Sequence, residues 1–226
     1  TPIGNMKDIT LRTLETLEHA DLILAEDTRH ASKLLNHFNI KVPVASHHKF
    51  NEHRTVETVC GKIMSGQTVV LVSDAGTPGI SDPGFLLTRL CIEKGLDVET
   101  LPGATALIPA IVNSGLPCDR FCFEGFLPQK KGRDKRLKDL AGETRTMIFY
   151  ESPFRLIKAL KEMAVHFGGA REASVSRELS KIYEENIRGT LAALTEHFTL
   201  NQPKGEIVIV VAGKGKSNTK PVCDEP

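Results

Sequence analysis

Along the first half of the chain, runs of β-branched apolar residues alternate with stretches whose apolar residues recur at helical spacing. Residues 21–25 predict a strand and 31–38 a helix. Residues 42–45 predict a short strand, 52–64 a helix, 68–72 a strand and 85–92 a helix, and 97–101 and 105–112 continue the pattern. Strictly alternating strands and helices imply βαβ units and therefore a parallel sheet. Asn113-Ser114-Gly115-Leu116-Pro117 interrupts this order and marks a domain boundary. Beyond it, 121–126, 146–150, 173–177, 183–188 and 207–212 read as strands with fewer helices between them. The gap between 177 and 183 leaves no room for a crossover helix, so that pair is antiparallel and the second sheet mixed. The fold class is α/β in two domains: 1–115 on a mainly parallel sheet and 118–213 on a mixed sheet. Residues 214–226 form a polar tail, read as disordered.

Small residues gather where the predicted strands end. The run 73–84, SDAGTPGISDPG, joins a strand to a helix, and open α/β sheets bind ligands beyond the carboxyl ends of their strands. Its glycines let backbone approach a ligand closely, and Pro78 and Pro83 stiffen it. Asp82 is expected to cap the following helix, with Pro83 at its first position. LPGATA at 101–106 repeats the strand–loop–helix arrangement, with Thr105 as either a helix cap or a hydroxyl donor to a ligand. TPIGN at 1–5 is a third such loop, and three at one sheet edge make a crevice. Neither G-x-G-x-x-G nor G-x-x-x-x-G-K-[ST] occurs, so a dinucleotide fingerprint or a P-loop is not supported. Asp74, at a strand end, suits a ribose or an amine better than a phosphate, which it repels.

Polar side chains cluster at Glu26, Asp27, Thr28, Arg29 and His30. They read as a helix-start ion pair, or as a base (Asp27 or Glu26) beside an arginine that engages an anion. The same pair of readings applies to Glu151 and to Arg177 with Glu178. His47, His48 and His53 lack companion cysteines or an H-E-x-x-H arrangement and are expected in a solvated or substrate-facing loop, without a metal. Residues 129–138 hold six basic residues and one acid around Gly132. Lys130, Lys131, Arg133, Lys135 and Arg136 are therefore expected to bind a phosphate backbone, with nearby Phe126 as a stacking ring.

Composition narrows the setting. The 226 residues are 40% hydrophobic and 25% charged, as in a soluble globular protein, and no apolar run nears the roughly 18 residues of a membrane span. Five cysteines without paired C-x-x-C spacing fit reduced thiols in a cytoplasm. A net charge of +1 means that any nucleic-acid contact comes from a local patch.

Taken together, TPIGN (1–5), DIT (8–10), AEDTR (25–29), SDAGTPGISDPG (73–84), LPGATA (101–106), FEGFLP (123–128), FYESP (149–153), SREL (176–179) and KGEIVIVVAG (204–213) resemble the tetrapyrrole methylase superfamily of S-adenosylmethionine-dependent methyltransferases. The long glycine-rich run and FEGFLP resemble its ribosomal RNA branch. The resemblance implies two α/β domains with the cofactor between them and a homodimer. It also implies methyl transfer to the ribose 2′-hydroxyl of a cytidine in small-subunit ribosomal RNA, within the assembled subunit. Cofactor contacts are implied at Ile3, Asp74, Ala75, Gly76, Thr77, Thr105, Ala106, Tyr150, Leu179, Gly205 and Glu206. Strand-end position and the family pattern together assign proton removal to Glu26, Asp27 and Arg29, with no metal. Relatives carry an apolar strand before TPIGN, so the central strand of the first sheet is expected to be unaccounted for, and the tail is shorter than in relatives with a C-terminal extension. Two rivals stand beside this reading: a same-scaffold enzyme acting on a tetrapyrrole or other small molecule, and a non-enzymatic RNA-binding assembly protein.

Overall fold

Four consecutive apolar residues, Leu22–Ala25, form β1, the centre of the first sheet in a computed structural model that describes residues 1–215. β2 (Val44–Ser46) and β3 (Val69–Val72) flank it in parallel, in the order β2-β1-β3. Successive side chains leave a strand on opposite faces. Ile23 and Ala25 accordingly pack with Leu17 of α1 (Leu11–Glu18) and Leu35 of α2 (Thr28–His37). Leu24 packs the other way, with Val59 of α3 (Glu52–Met64) and Leu87 of α4 (Phe85–Glu93). Burial on both faces is why this sheet is written as continuous apolar runs.

Three details depart from the sequence reading. Residues 97–101 form no strand: Asp97, Val98, Glu99 and Thr100 are exposed, and no described strand pairs with them. A strand requires a ladder partner as well as a suitable composition. Helix α2 begins three residues early because the Asp27 carboxylate accepts from the Arg29 N–H at 2.8 Å and caps it. Asp82 caps nothing. Helix α4 starts at Phe85 behind Gly84 (φ 135°), and buried Glu52 supplies the cap from another helix, its Oε1 accepting from the N–H groups of Gly84 (3.0 Å) and Leu86 (3.2 Å). The conformation at Gly84 requires glycine, and a Cβ there, 2.7 Å from Leu71 Cδ2, would also displace that side chain.

The first compact unit is Thr1–Ala106 and the second begins at Leu107. Helix α5 (Leu107–Ser114) thus groups with the second sheet, ahead of the boundary read at 113–117, and packs on strands of that sheet. The sheet contains β4 (Phe121–Phe126), β5 (Thr146–Glu151), β6 (Glu172–Arg177), β7 (Glu185–Thr190) and β8 (Ile207–Val211), in the order β4-β5-β8-β6-β7. Only β4 and β5 run parallel; the other neighbours are antiparallel, which makes the sheet mixed. β8 is buried along its whole length and is the central strand. Helix α6 (Arg133–Leu140) follows β4, while α7 (Leu156–Phe167) and α8 (Leu191–Leu200) contribute Leu160, Met163, Leu194 and Phe198 to a core with Phe149, Val175 and Ile209. β7 begins two residues later than expected, after a turn with Glu178 and Ser180 at positive φ. From residue 216 onward the tail lies outside the described residues. Among the described residues no helix is long and apolar enough to cross a membrane.

Candidate active site

Beyond β3 the backbone folds onto itself through short hydroxyl bonds. Ser73 Oγ donates to the Gly76 carbonyl at 3.0 Å, and Thr1 Oγ1 donates to the same carbonyl at 2.9 Å. The Gly76 N–H donates to the Thr1 carbonyl at 3.2 Å, and Thr77 Oγ1 to the Ala104 carbonyl at 3.3 Å. The loops 1–5, 73–84 and 101–106 therefore meet. Gly76 (φ 84°) sits where they join: a Cβ there would lie 3.5 Å from both the Ala104 carbonyl oxygen and Ile3 Cγ2. Ile3 is buried; Ala75, Thr77, Thr105 and Ala106 are half-buried and Asp74 is exposed. The Asp74 carboxylate reaches across to the end of β1, accepting from the Asp27 N–H at 3.1 Å and lying 3.1 Å from His30 Nδ1.

Four carboxylates gather here, and three of them are shifted, in opposite directions. Asp27 holds Arg29 Nε at 3.0 and 3.2 Å, and that guanidinium keeps it well below the usual carboxylate range. It is a weak proton acceptor. Glu26 is shifted the other way by burial and by facing Asp74, with Lys49 and His48 opposing the shift. Asp82, half-buried, is pushed up to about 6 by burial and by Glu26 and Asp74. In sequence Asp82 reads as a cap; the signal for its place here is membership in the same small-residue run as Asp74. Ser81 before it holds φ 65°, a left-handed conformation uncommon for serine.

Glu52 carries no such signal in the sequence, and His47 departs from its expected place. His47 is fully buried and is no part of a solvated loop: Nδ1 lies 2.9 Å from Thr55 Oγ1 and Nε2 3.8 Å from Glu52 Oε1. Burial lowers its affinity for a proton, so the ring is neutral at neutral pH. His48 is half-buried and His53 exposed. Among the described residues no three His, Cys, Asp or Glu side chains are grouped to hold a metal.

In the second unit, Tyr150 near the end of β5 meets Phe123 and Phe126 edge-on, at centroid distances of 4.9 and 5.7 Å. Leu179, Gly205 and Glu206 are brought together by Glu178. Its Oε1 accepts from the Glu206 N–H (2.9 Å) and from Lys181 Nζ (2.9 Å), and its own N–H donates to the Glu206 carbonyl (2.9 Å). Gly205 (φ 85°) leaves room for that carboxylate, which a Cβ would strike. Glu151 is buried against Arg155 at 2.8 Å, and Arg177 pairs with Glu185 at 3.1 Å, so both serve the scaffold.

The basic run divides by burial. Lys130, Lys131 and Lys135 are exposed. Arg133 is not available to a ligand: it is buried, donates to Glu162 at 2.6 Å and to the Pro128 carbonyl at 3.2 Å, and lies 3.6 Å from Glu151. Arg136 pairs with Glu124 on β4 and, with Phe126 and Lys135, lines a cavity of about 300 Å³.

The family model for tetrapyrrole (corrin/porphyrin) methylases matches residues 1–195. Over 214 residues the chain is 50% identical to ribosomal RNA small subunit methyltransferase I of Synechocystis sp., covering 94% of this chain and 77% of that protein. It is 44% identical over 214 residues to the protein of the same name from Thermotoga maritima, covering 95% and 96%. Among solved structures, a diphthine synthase superposes with a TM-score of 0.72 at 14% identity, over 93% of this chain and 87% of that one. A cobalt precorrin-4 methyltransferase superposes with a TM-score of 0.68 at 20% identity, over 93% and 91%. At those identities the two structures speak for the fold alone.

Proposed function

The chain belongs to the tetrapyrrole (corrin/porphyrin) methylase family, and on that premise we propose that it is a methyltransferase that methylates the ribose 2′-hydroxyl of a cytidine in small-subunit ribosomal RNA, using S-adenosylmethionine. The observation that carries the reading is 44–50% identity, over about 95% of the chain, to proteins named ribosomal RNA small subunit methyltransferase I. The family motifs also imply a homodimer, the cysteine usage fits a cytoplasm, and the basic run suits structured RNA in the assembled subunit; sedimentation of the purified chain tests the first of these.

The residues suit the methyl donor. Around Gly76 the surroundings are mainly backbone and small side chains, with Ile3 beside them, and the glycine's φ of 84° is one that other residues rarely adopt. Ile3, Asp74, Ala75, Thr77, Thr105 and Ala106 would hold it in the first unit, and Tyr150, Leu179, Gly205 and Glu206 in the second. S-adenosylmethionine supplies a methyl group on a sulfonium, already activated for in-line displacement. The protein's tasks are to align the ribose hydroxyl and to accept its proton. Glu26 and Asp82, whose affinities for a proton are raised, suit acceptance; Asp27 instead orients Arg29, whose exposed guanidinium suits an RNA phosphate. Lys130, Lys131 and Lys135 add phosphate contacts.

The test is methyl transfer from labelled S-adenosylmethionine to small subunits lacking the modification, alongside calorimetric titration of the donor. Donor binding with label on a cytidine ribose supports the reading. Labelling of a tetrapyrrole instead of RNA, or RNA binding without donor affinity, refutes it.

A further inference from the structure

We propose that the cavity beside β4 seats the base of the nucleotide being methylated, with Phe126 as the stacking face and the Glu124–Arg136 pair reading the Watson–Crick edge of cytosine. The inference rests on the RNA reading above and adds to it a base-recognition site. β4 pairs with β5 through Phe123↔Ile148 and then Gly125↔Phe149, so Glu124 is one extra residue bulged from the ladder. Such bulges re-aim a side chain. Glu124, its side chain 9% exposed, turns to Arg136 on α6. Arg136 Nε (2.9 Å) and Nη2 both donate to the same oxygen, Oε2. Glu124 Oε1 and Arg136 Nη1 take no part in those two bonds, so each of these cavity-lining side chains keeps a polar atom outside the pair, an acceptor on one and a donor on the other.

Cytosine presents the complement: its exocyclic amine donates to a carboxylate, and its N3 accepts from a guanidinium. Uracil reverses both polarities, setting O4 against the carboxylate and N3–H against the guanidinium. Phe126 ends β4 in register with Tyr150 and is 54% exposed, an aromatic face for which burial in the protein gives no full account. Buried Leu127 and exposed Lys135 also line the cavity, giving it an apolar contact and a cation for the adjoining phosphate. A volume of about 300 Å³ is at the small end for ligand cavities and suits one ring. Tyr150, implied as a donor contact, adjoins Phe126, so the stacked nucleotide lies beside a residue that the family motifs assign to the methyl donor.

The test compares the full-length parent with Phe126→Ala, Phe126→Tyr and Glu124→Gln. Kinetics on unmethylated small subunits are read beside saturation-transfer NMR with cytidine and uridine 5′-monophosphates and calorimetry of S-adenosylmethionine. Phe126→Ala is expected to lower kcat/KM for subunits about tenfold or more, as loss of a stacking platform does, and Phe126→Tyr to restore it. Glu124→Gln is expected to erase the preference for cytidine over uridine monophosphate, with donor affinity unchanged in every variant. Full kcat/KM in Phe126→Ala, or an unaltered preference in Glu124→Gln, overturns the proposal. Should Glu124→Gln fail to fold, the two Phe126 variants still decide. Should the parent bind donor but methylate no RNA, the RNA reading falls, and loss of cytidine monophosphate binding in Phe126→Ala tests the seat by itself.

Discussion

Asp82 shares its patch of surface with Glu26 and Asp74, and its pKa is raised from 3.8 to about 6. The folded state therefore favours the protonated carboxyl. The stability linked to it is fully present below about pH 4 and is lost as pH rises through about 6. Asp82→Asn is expected to raise Tm relative to the parent at pH 8, with the difference closing by pH 4, in thermal unfolding across that range. Under the proposed mechanism turnover has the opposite dependence, because a base must be unprotonated. The kcat profile is expected to fall below about pH 6, with a limb that moves in Asp82→Asn or Glu26→Gln and stays in Asp27→Asn. Asp82 itself was legible only as a polar residue in a loop. Ser-Asp-Pro-Gly is a fair helix-start signal, and the competitor that displaced it, Glu52, stands 30 residues away with no local pattern to announce it.

Helix α4 thus depends on a carboxylate borrowed from α3. Glu52→Ala leaves two N–H groups without their acceptor and is expected to cost about 2 kcal/mol in denaturant unfolding, while Glu52→Gln, which retains an acceptor oxygen, loses less. Arg133 and its neighbours in the basic run separate by the same logic of burial. Arg133→Ala takes one cation from two carboxylates, of which Glu151 keeps Arg155 and Glu162 keeps Lys158, and is expected to lose about 1–3 kcal/mol of stability. Replacing Lys130, Lys131 and Lys135 by alanine should leave stability near the parent's and flatten the salt dependence of RNA binding by about 0.7–0.9 per contact removed. In sequence these basic residues look alike; only packing distinguishes them. Helices and buried strands were legible because each carries its pattern within itself. Residues 97–101 carry an acceptable pattern too, but a ladder needs a neighbour, and that is not written locally.

For the molecule as a whole, the proposed function links donor binding to stability. S-adenosylmethionine at 100 times its Kd is expected to stabilise the fold by about 2.7 kcal/mol, seen as a rise in Tm. Asp74→Arg, which reverses the charge between Asp27 and His30, is expected to abolish that rise. The family was legible in nine short motifs, several of them at loops where backbone conformation is most constrained. The division of the chain after Ala106 was harder to see, since α5 is apolar enough to serve either sheet and is assigned by what it packs against. The placement of β8 bears on how the protein is made. Residues 207–211 occupy the middle of the second sheet yet are translated last among its strands, so a nascent chain holds β4 with β5, and β6 with β7, as two ribbons with open apolar edges. On the ribosome the first sheet can close in step with translation, whereas the second waits for its keystone; chains stalled before Ile207 should be the ones that chaperones and proteases capture.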